Sequence, residues 1–235
     1  MDVPVTVDVA ANLARVTERI AAAAGRVGRR ADDVTLVGAA KQVDVARLEA
    51  ALAAGLRHIG ENYVQEALPK VAAIGDRAVW HFIGHLQRNK ARDVVPRFDL
   101  IETVDSVRLA QEVDRRAAQA GRRLAVLLQV NVGGEESKFG VPPEDLVALY
   151  DAVAELQSLD VQGLMAVPPF VPEAELSRPY FRRLRELRDA LQRARPEAHV
   201  PHLSMGMSLD FEVAIEEGAT MVRVGTDLFG PRPAP

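Results

Sequence analysis

The sequence predicts an α/β fold, a closed (β/α)8 TIM barrel, from three observations. Eight short apolar runs lie along the 235 residues, amphipathic segments separate nearly all of them, and one further amphipathic segment precedes the first run. Repeated strand–helix units place their strands parallel, and eight such units favour a closed barrel. An open doubly wound sheet is the competing architecture. Its dinucleotide-binding version is disfavoured, because the turn at residues 38–41 lacks the glycine-rich pattern.

Each apolar run is short enough to form a buried strand in the barrel wall. In chain order the predicted strands are 34–40, 57–60, 79–84, 99–103, 124–132, 161–167, 200–204 and 221–225. No linker or change of composition interrupts this order, so a single domain over residues 1–235 is expected.

The predicted helices have apolar residues at helical spacing. The first is predicted over about residues 6–28. Its apolar stripe, with spacings of four, three and four residues, consists of Val9, Leu13, Val16 and Ile20. Further helix patterns begin near residues 45, 62, 87, 105, 142 and 179, and a short one separates the last two strands. Asp105 is the predicted N-cap of its helix, because its carboxylate can accept a first-turn amide.

The composition disfavours several classes of function. Acidic residues outnumber basic ones, 33 against 29, so a net charge near −4 gives no electrostatic case for binding nucleic acid or an anionic membrane. The chain has no cysteine, and its five histidines lack the paired spacing of a helical zinc motif, so no metal site is expected. The sequence shows neither a secretory signal nor a long apolar run, so a cytoplasmic protein without a membrane span is expected.

Polar residues follow the predicted strands where a barrel has its active face. They are Lys41, Glu61, Asn62, His85, Gln87, Asn131, Ser204, Ser208, Gly225 and Thr226. This set is rich in amides and hydroxyls and lacks the paired carboxylates of a glycosidase.

Two of these strand ends predict a phosphate site. The loops after strands seven and eight are where barrels most often bind phosphate, and here they contain residues 204–208, with Gly206 at the centre, and residues 225–226. Glycine lets backbone amides approach an anion, and the serine and threonine hydroxyls add donors. Ordinary turn chemistry is the alternative interpretation of the same residues.

Strand alternation predicts which way two side chains point. Val222 and Val224 are expected to face the helices, which points Arg223 into the barrel, where it needs an acidic partner or a polar ligand atom. By the same alternation Lys41 shares a face with Ala39 and lies at the barrel mouth, where a lysine can form a Schiff base with an aldehyde. The alternative is a surface lysine whose stem is buried and whose amine reaches water.

Several stretches together resemble the pyridoxal phosphate homeostasis proteins, also called the YggS or PROSC family. The matching stretches are 36–41, 59–66, 80–90, 129–131 with 137–140, 163–166, 203–208 with 222–225, and 229–230. The resemblance implies a barrel similar to the N-terminal domain of alanine racemase, with pyridoxal 5'-phosphate (PLP) held as a Schiff base on Lys41.

The resemblance also implies roles for the remaining site residues. Asn62 is expected near the ring hydroxyl, with Ile83 packed against the ring and Met165 close by. Arg223 is expected to face the pyridine nitrogen. The residues implied to hold the phosphate are Ser204, Gly225 and Thr226, while Ser208 joins them through either its side chain or its backbone amide.

Three hypotheses of function follow. The first is an intracellular binding protein that stores PLP and passes it to PLP-dependent apo-enzymes. The second is an amino-acid racemase-type enzyme, disfavoured because no segment supplies the second domain that carries the catalytic tyrosine of alanine racemases. The same missing domain, which makes the racemase dimer, favours a monomer. The third is a phosphosugar enzyme without PLP.

Overall fold

Eight parallel strands pair in chain order, and the last returns to pair with the first, so the sheet closes into a barrel. The computed structural model describes residues 7–135 and 139–231. The strands are β1 Thr35–Ala39, β2 His58–Glu61, β3 Val79–Phe82, β4 Leu100–Val104, β5 Leu124–Gln129, β6 Leu159–Met165, β7 His202–Ser204 and β8 Met221–Val224. The predicted (β/α)8 barrel is therefore confirmed, and each predicted strand overlaps an observed one.

Helices connect the strands and cover the outside of the barrel. Within the described residues they are α1 Val9–Arg26, α2 Val45–Ala53, α3 Val64–Ile74, α4 Ala91–Val94, α5 Val107–Gln119, α6 Leu146–Ala154, α7 Arg178–Ala194, α8 Phe211–Glu216 and α9 Thr226–Phe229. None of the helices in this part of the chain combines the length and the apolar character needed to cross a bilayer.

The first helix begins where its capping residue requires. The side chain of Asp8 accepts a hydrogen bond from the amide of Ala11, which satisfies one of the free amides at the start of α1. On its outer flank Arg19 forms ion pairs with Glu212 at 2.7 Å and Asp227 at 2.6 Å. These contacts attach α1 to α8 and α9, and so to the segment that follows β8.

The predicted cap of α5 is wrong. The helix begins at Val107, and its N-cap residue is Ser106, whose side chain makes no capping hydrogen bond. The carboxylate of Asp105 instead lies 3.8 Å from Nδ1 of His85. The acidic residue therefore lies one position too early to accept an amide of the first turn.

Two cores hold the barrel together. The larger one lies between the sheet and the helices and includes the fully buried Trp80, Phe82 and Phe98. The smaller one is inside the barrel and is formed by Leu100, Leu127, Met165 and Met221. The interior is therefore only partly apolar, and polar side chains fill much of the rest.

Candidate functional site

The loops at the carboxyl ends of the strands enclose a cavity of about 490 Å³. Parallel strands bring their carboxyl ends to one face of a barrel, which is why these loops meet. The residues that line the cavity include Asn62, Tyr63, Ile83, His85, Lys90 and Gln129. Its volume is in the range of sites for small molecules.

Lys41 follows β1 and contacts Tyr63, a residue that lines this cavity. Its Nζ donates a hydrogen bond of 3.1 Å to the hydroxyl of Tyr63 and lies 4.9 Å from the centre of that ring. Lys41 is half-buried and is not among the residues that line the cavity, whereas Tyr63 is. The amine is therefore connected to the cavity through its contact with Tyr63.

The segments after β7 and β8 meet at Ser208. Its hydroxyl oxygen accepts hydrogen bonds from the backbone amides of Gly225 at 3.3 Å and of Asp227 at 3.4 Å. Gly206 has φ 92°, which favours glycine, and a Cβ there would lie 2.5 Å from the Cβ of Ala214. Backbone amides, a hydroxyl and glycine at one place form a donor set suited to an anion.

Lys41 and the loops of the predicted phosphate site follow neighbouring strands. β1 pairs directly with β8, so Lys41 and Gly225 both lie just beyond the ends of adjacent strands. A Cβ on Gly225 would lie 3.6 Å from the Cβ of Ala39, two residues before Lys41. Thr226 follows as the first residue of α9 and is exposed.

A series of buried polar side chains crosses the interior of the barrel. Arg223 donates hydrogen bonds to the hydroxyl of Ser204 at 2.6 Å and to the carbonyl of Ala166 at 2.8 Å. Ser204 in turn donates to Oε2 of Glu102, and this oxygen lies 3.9 Å from Nη1 of Arg223. The contact with β4 requires Arg223 to point inward, which confirms the alternation argument. Glu102 is the acidic partner that an inward guanidinium needs.

The series continues from Glu102 to two histidines. Nδ1 of His81 lies 2.7 Å from Oε1 of Glu102, and Nε2 of His81 lies 2.9 Å from Nδ1 of His58. Burial alone raises the pKa of Glu102, but the hydrogen bond from His81 and the charge of Arg223 outweigh it, so the pKa lies below its ordinary value. Burial, together with the neighbouring His81, lowers the pKa of His58 to about 4. Glu102 is therefore ionised and His58 neutral near pH 7.

The structure brings some of the predicted site residues together and separates others. Asn62 and Ile83 line the cavity. The hydroxyl of Ser204 is engaged inside the barrel with Glu102 and Arg223, whereas the hydroxyl of Ser208 faces the amides after β8. Met165 is fully buried in the interior apolar cluster. Residues 137 and 138 of the matched stretches lie outside the described residues.

Sequence reasoning missed three residues of this interior series, Glu102, His81 and His58. A signal for the first two was present. An inward Arg223 needs an acidic partner. The predicted fourth strand, 99–103, contains two acidic residues, Asp99 at its first position and Glu102 within it. Alternation would have turned His81 inward in the same way. The contact of Tyr63 with Lys41 could not be predicted from the spacing of these residues in the sequence.

Comparisons with known proteins agree with this architecture. Residues 11–233 match the family model described as the N-terminal domain of alanine racemase. The chain is 50% identical over 221 residues to the pyridoxal phosphate homeostasis protein of Aquifex aeolicus, covering 94% of this chain and 96% of that protein.

Two solved structures are similar over nearly the whole chain. PipY of Synechococcus elongatus with PLP bound has a TM-score of 0.83 and 38% identity, covering 94% of this chain and all of that one (100%). A protein of Bifidobacterium adolescentis, titled as unknown, has a TM-score of 0.88 and 38% identity, covering 94% of both chains. The chain therefore belongs to the alanine racemase N-terminal domain family and, within it, to the family of the pyridoxal phosphate homeostasis proteins.

Proposed function

We propose that this protein binds PLP, holds it reversibly as a Schiff base on Lys41 and serves cofactor homeostasis in the cytoplasm. The observation that carries the proposal is the pairing of β1 with β8, because Lys41 and the loop of the predicted phosphate site follow adjacent strand ends. PLP carries an aldehyde and a phosphate on one ring, so it can engage both at once.

The residues present fit the phosphate. The amides of Gly225 and Asp227 reach the hydroxyl of Ser208 only at 3.3 and 3.4 Å, at the long end for hydrogen bonds. A phosphate oxygen could accept shorter bonds from such amides, since charged acceptors draw donors closer. We assign the phosphate to Ser208, Gly206, Gly225 and Thr226. Ser204 contributes indirectly, because its hydroxyl is held in the interior.

The ring would lie between the two strand ends and extend towards the cavity. Asn62 and Ile83 line that cavity, which supports their proposed places near the ring hydroxyl and the ring face. Arg223 would face the pyridine nitrogen from inside the barrel, with Met165 beside it. An arginine donor favours an unprotonated nitrogen, which makes the ring a weak electron sink and suits storage better than carbanion chemistry.

The covalent step needs only the amine of this chain. PLP supplies an aldehyde carbon that a neutral amine can attack. Nζ of Lys41 would bond to that carbon, a C=N bond would replace the C=O bond, and the oxygen would leave as water with the two protons of the neutral amine. Because water reverses the step, the same lysine can release PLP for transfer to PLP-dependent apo-enzymes, and a monomer suffices for this role.

The test is to reduce the protein with borohydride in the presence of PLP and to map the adduct by mass spectrometry. The chain has four lysines, Lys41, Lys70, Lys90 and Lys138, so the assignment is unambiguous. An adduct on Lys41, with a visible absorbance band that disappears in Lys41→Ala, is the expected result. An adduct on Lys90, which lines the cavity, would instead overturn the proposed site.

Racemase-type catalysis is the second candidate, because the hydroxyl of Tyr63 lies beside the amine of Lys41 and could exchange protons near it. Incubation of the PLP-loaded protein with a panel of L- and D-amino acids separates the two functions. We expect no sustained turnover. Sustained racemisation that is abolished in Tyr63→Phe would replace the storage function with an enzymatic one.

A further inference from the structure

The turn that carries Lys41, residues 40–42, is held by α3 on both flanks of the lysine. Before it, Nζ of Lys70 donates a hydrogen bond of 2.7 Å to the carbonyl of Ala40. After it, the amide of Gln42 donates a hydrogen bond of 3.0 Å to Oε2 of Glu66. Both backbone groups next to Lys41 therefore have side-chain partners on one helix.

The lysine itself contacts the same helix through its N-cap residue. Tyr63 occupies the N-cap position of α3, and its hydroxyl is the hydrogen-bond partner of Nζ of Lys41. Positions 63, 66 and 70 are separated by three and four residues, so they share one face of the helix. One face of α3 thus contacts three consecutive residues, 40, 41 and 42.

The turn has a backbone conformation that needs support. Gln42 has φ 60°, and it is the one residue other than glycine with a positive φ in the part of the chain that the structure describes. A residue with a Cβ in this region costs free energy and persists where its surroundings enforce it. The hydrogen bond from its amide to Glu66 is such an enforcement, directly after the proposed reactive lysine.

The support from Lys70 depends on a buried charge. Lys70 is 7% exposed and is paired at 2.7 Å with Glu61, which is fully buried between β2 and α3. Burial raises the pKa of Glu61 to about 7 despite the hydrogen bond from Lys70. Its second oxygen has no hydrogen-bond partner among the described residues. A buried pair of this kind contributes little to stability, and a role in fixing geometry accounts for it better.

We infer that Tyr63, Glu66 and Lys70 are positioning residues that fix the turn so that the amine of Lys41 points towards the site. The inference rests on the proposed function. It separates two tasks within one site: the loops after β7 and β8 bind the phosphate, and α3 controls whether the amine can reach the aldehyde.

Two ligands distinguish positioning from general damage. PLP can form a Schiff base, whereas pyridoxine 5'-phosphate has the same ring and phosphate with a hydroxymethyl group in place of the aldehyde. In Lys70→Met and Glu66→Leu we expect the equilibrium constant for the Lys41 adduct to fall roughly three- to tenfold, the range that one immobilised side chain accounts for. Binding of pyridoxine 5'-phosphate is expected to stay unchanged. Adducts are measured by borohydride trapping and mass spectrometry, and pyridoxine 5'-phosphate binding by calorimetry.

Matched variants complete the test. Glu66→Gln keeps an oxygen acceptor for the amide of Gln42 and is expected to restore the wild-type adduct yield. Glu217→Gln changes a buried carboxylate that pairs with arginines of α7 and is expected to lower stability without changing the adduct. If Lys70→Met does not fold, the comparison of Glu66→Leu with Glu66→Gln is sufficient for the test.

The outcomes are distinguishable. Equal adduct yields in all variants, or equal losses for both ligands, would overturn the positioning role while leaving the proposed function in place. Absence of any adduct on Lys41 in the unaltered protein would overturn the proposed function and, with it, this inference.

Discussion

The two sides of the barrel mouth are held in place by different means. On the β1 side, charged side chains of α3 hold the turn that carries Lys41, and one of them is part of a buried ion pair with Glu61. On the β8 side, the loops depend on backbone conformation, on Gly206 and on the backbone hydrogen bonds to Ser208.

This difference indicates how each side responds to change. A turn fixed by ionisable side chains depends on pH and on the charge of its partners. A loop fixed by backbone geometry tolerates a change of charge but not a change of volume. We therefore call the side of Lys41 the adjustable half of the candidate site, and the side of the proposed phosphate loops the rigid half.

The largest expected effect is on the rigid half. In Gly206→Val, a Cβ would lie 2.5 Å from the Cβ of Ala214 and 2.9 Å from Cα of Phe211, in a conformation with φ 92°. Overpacking and the positive φ together predict a loss of about 3–5 kcal/mol in the free energy of unfolding, measured by urea denaturation. Binding of free phosphate and of pyridoxine 5'-phosphate should be lost together.

Gly28→Val is the matched control for this variant. Gly28 also has a positive φ, 70°, but a Cβ there would meet nothing within 4 Å. It is expected to lose only the backbone part, about 1–2 kcal/mol, and to keep its affinity for the ligand. Equal losses in the two variants would show that the close packing of Gly206 does not matter.

The same contrast explains what could be predicted from the sequence. The barrel followed from alternating apolar periods, which report burial directly. Strand β8 illustrates this, since Val222 and Val224 are fully buried and Arg223 points inward as alternation requires. The prediction for β5 extends past its observed end at Gln129, because Val130 and Val132 are buried although they lie beyond the strand. Apolar runs mark buried chain, and the end of a strand is a separate property.

The site was predictable only in part. Lys41, Gly206 and Ser208 follow from their places after strands and from the resemblance. The support from Glu66 and Lys70 was not predicted, because it depends on which face α3 turns towards the β1 turn. The apolar residues of α3 predict only the face that packs on the core. The polar residues Glu66 and Lys70 mark the face that contacts the turn after β1.

An effect of intermediate size concerns Glu61, in the adjustable half, and is measured as the pH dependence of stability. The pKa of Glu61 is raised from 4.5 to about 7 by burial, so the folded protein binds a proton that the unfolded chain has released between these values. The contribution of Glu61 to the free energy of unfolding is therefore full below about pH 4.5 and is lost as the pH rises to about 7. Glu61→Gln should remove this pH dependence. Its free energy of unfolding should therefore rise by about 2–3 kcal/mol relative to that of the wild type as the pH goes from 4.5 to about 7.

The measurement is the difference between the two unfolding free energies, taken by urea titration from pH 4.5 to 8, the lower limit being the ordinary pKa of Glu61. Taking the difference removes the contributions of the other carboxylates, because both proteins contain them. Glu102 is one of these: its pKa is lowered, so its contribution to stability changes with pH in the opposite direction. A difference that stays constant with pH would show that Glu61 is ionised throughout, and that its pair with Lys70 is an ordinary ion pair.

The smallest effect returns to the rigid half. Thr226 is exposed at the start of α9, so Thr226→Val keeps the shape of the loop and removes one hydroxyl donor. We expect a loss of about 0.5–1.5 kcal/mol in the free energy of binding of pyridoxine 5'-phosphate, with no change in the free energy of unfolding.

Thr220→Val is the control, for which the opposite result is expected. The hydroxyl of Thr220 accepts the amide of Leu203 at the other end of the barrel, so stability should fall and binding should not. If Thr226→Val instead lowers stability while ligand retention is unchanged, the hydroxyl serves the fold, and the phosphate is held by the backbone amides without it.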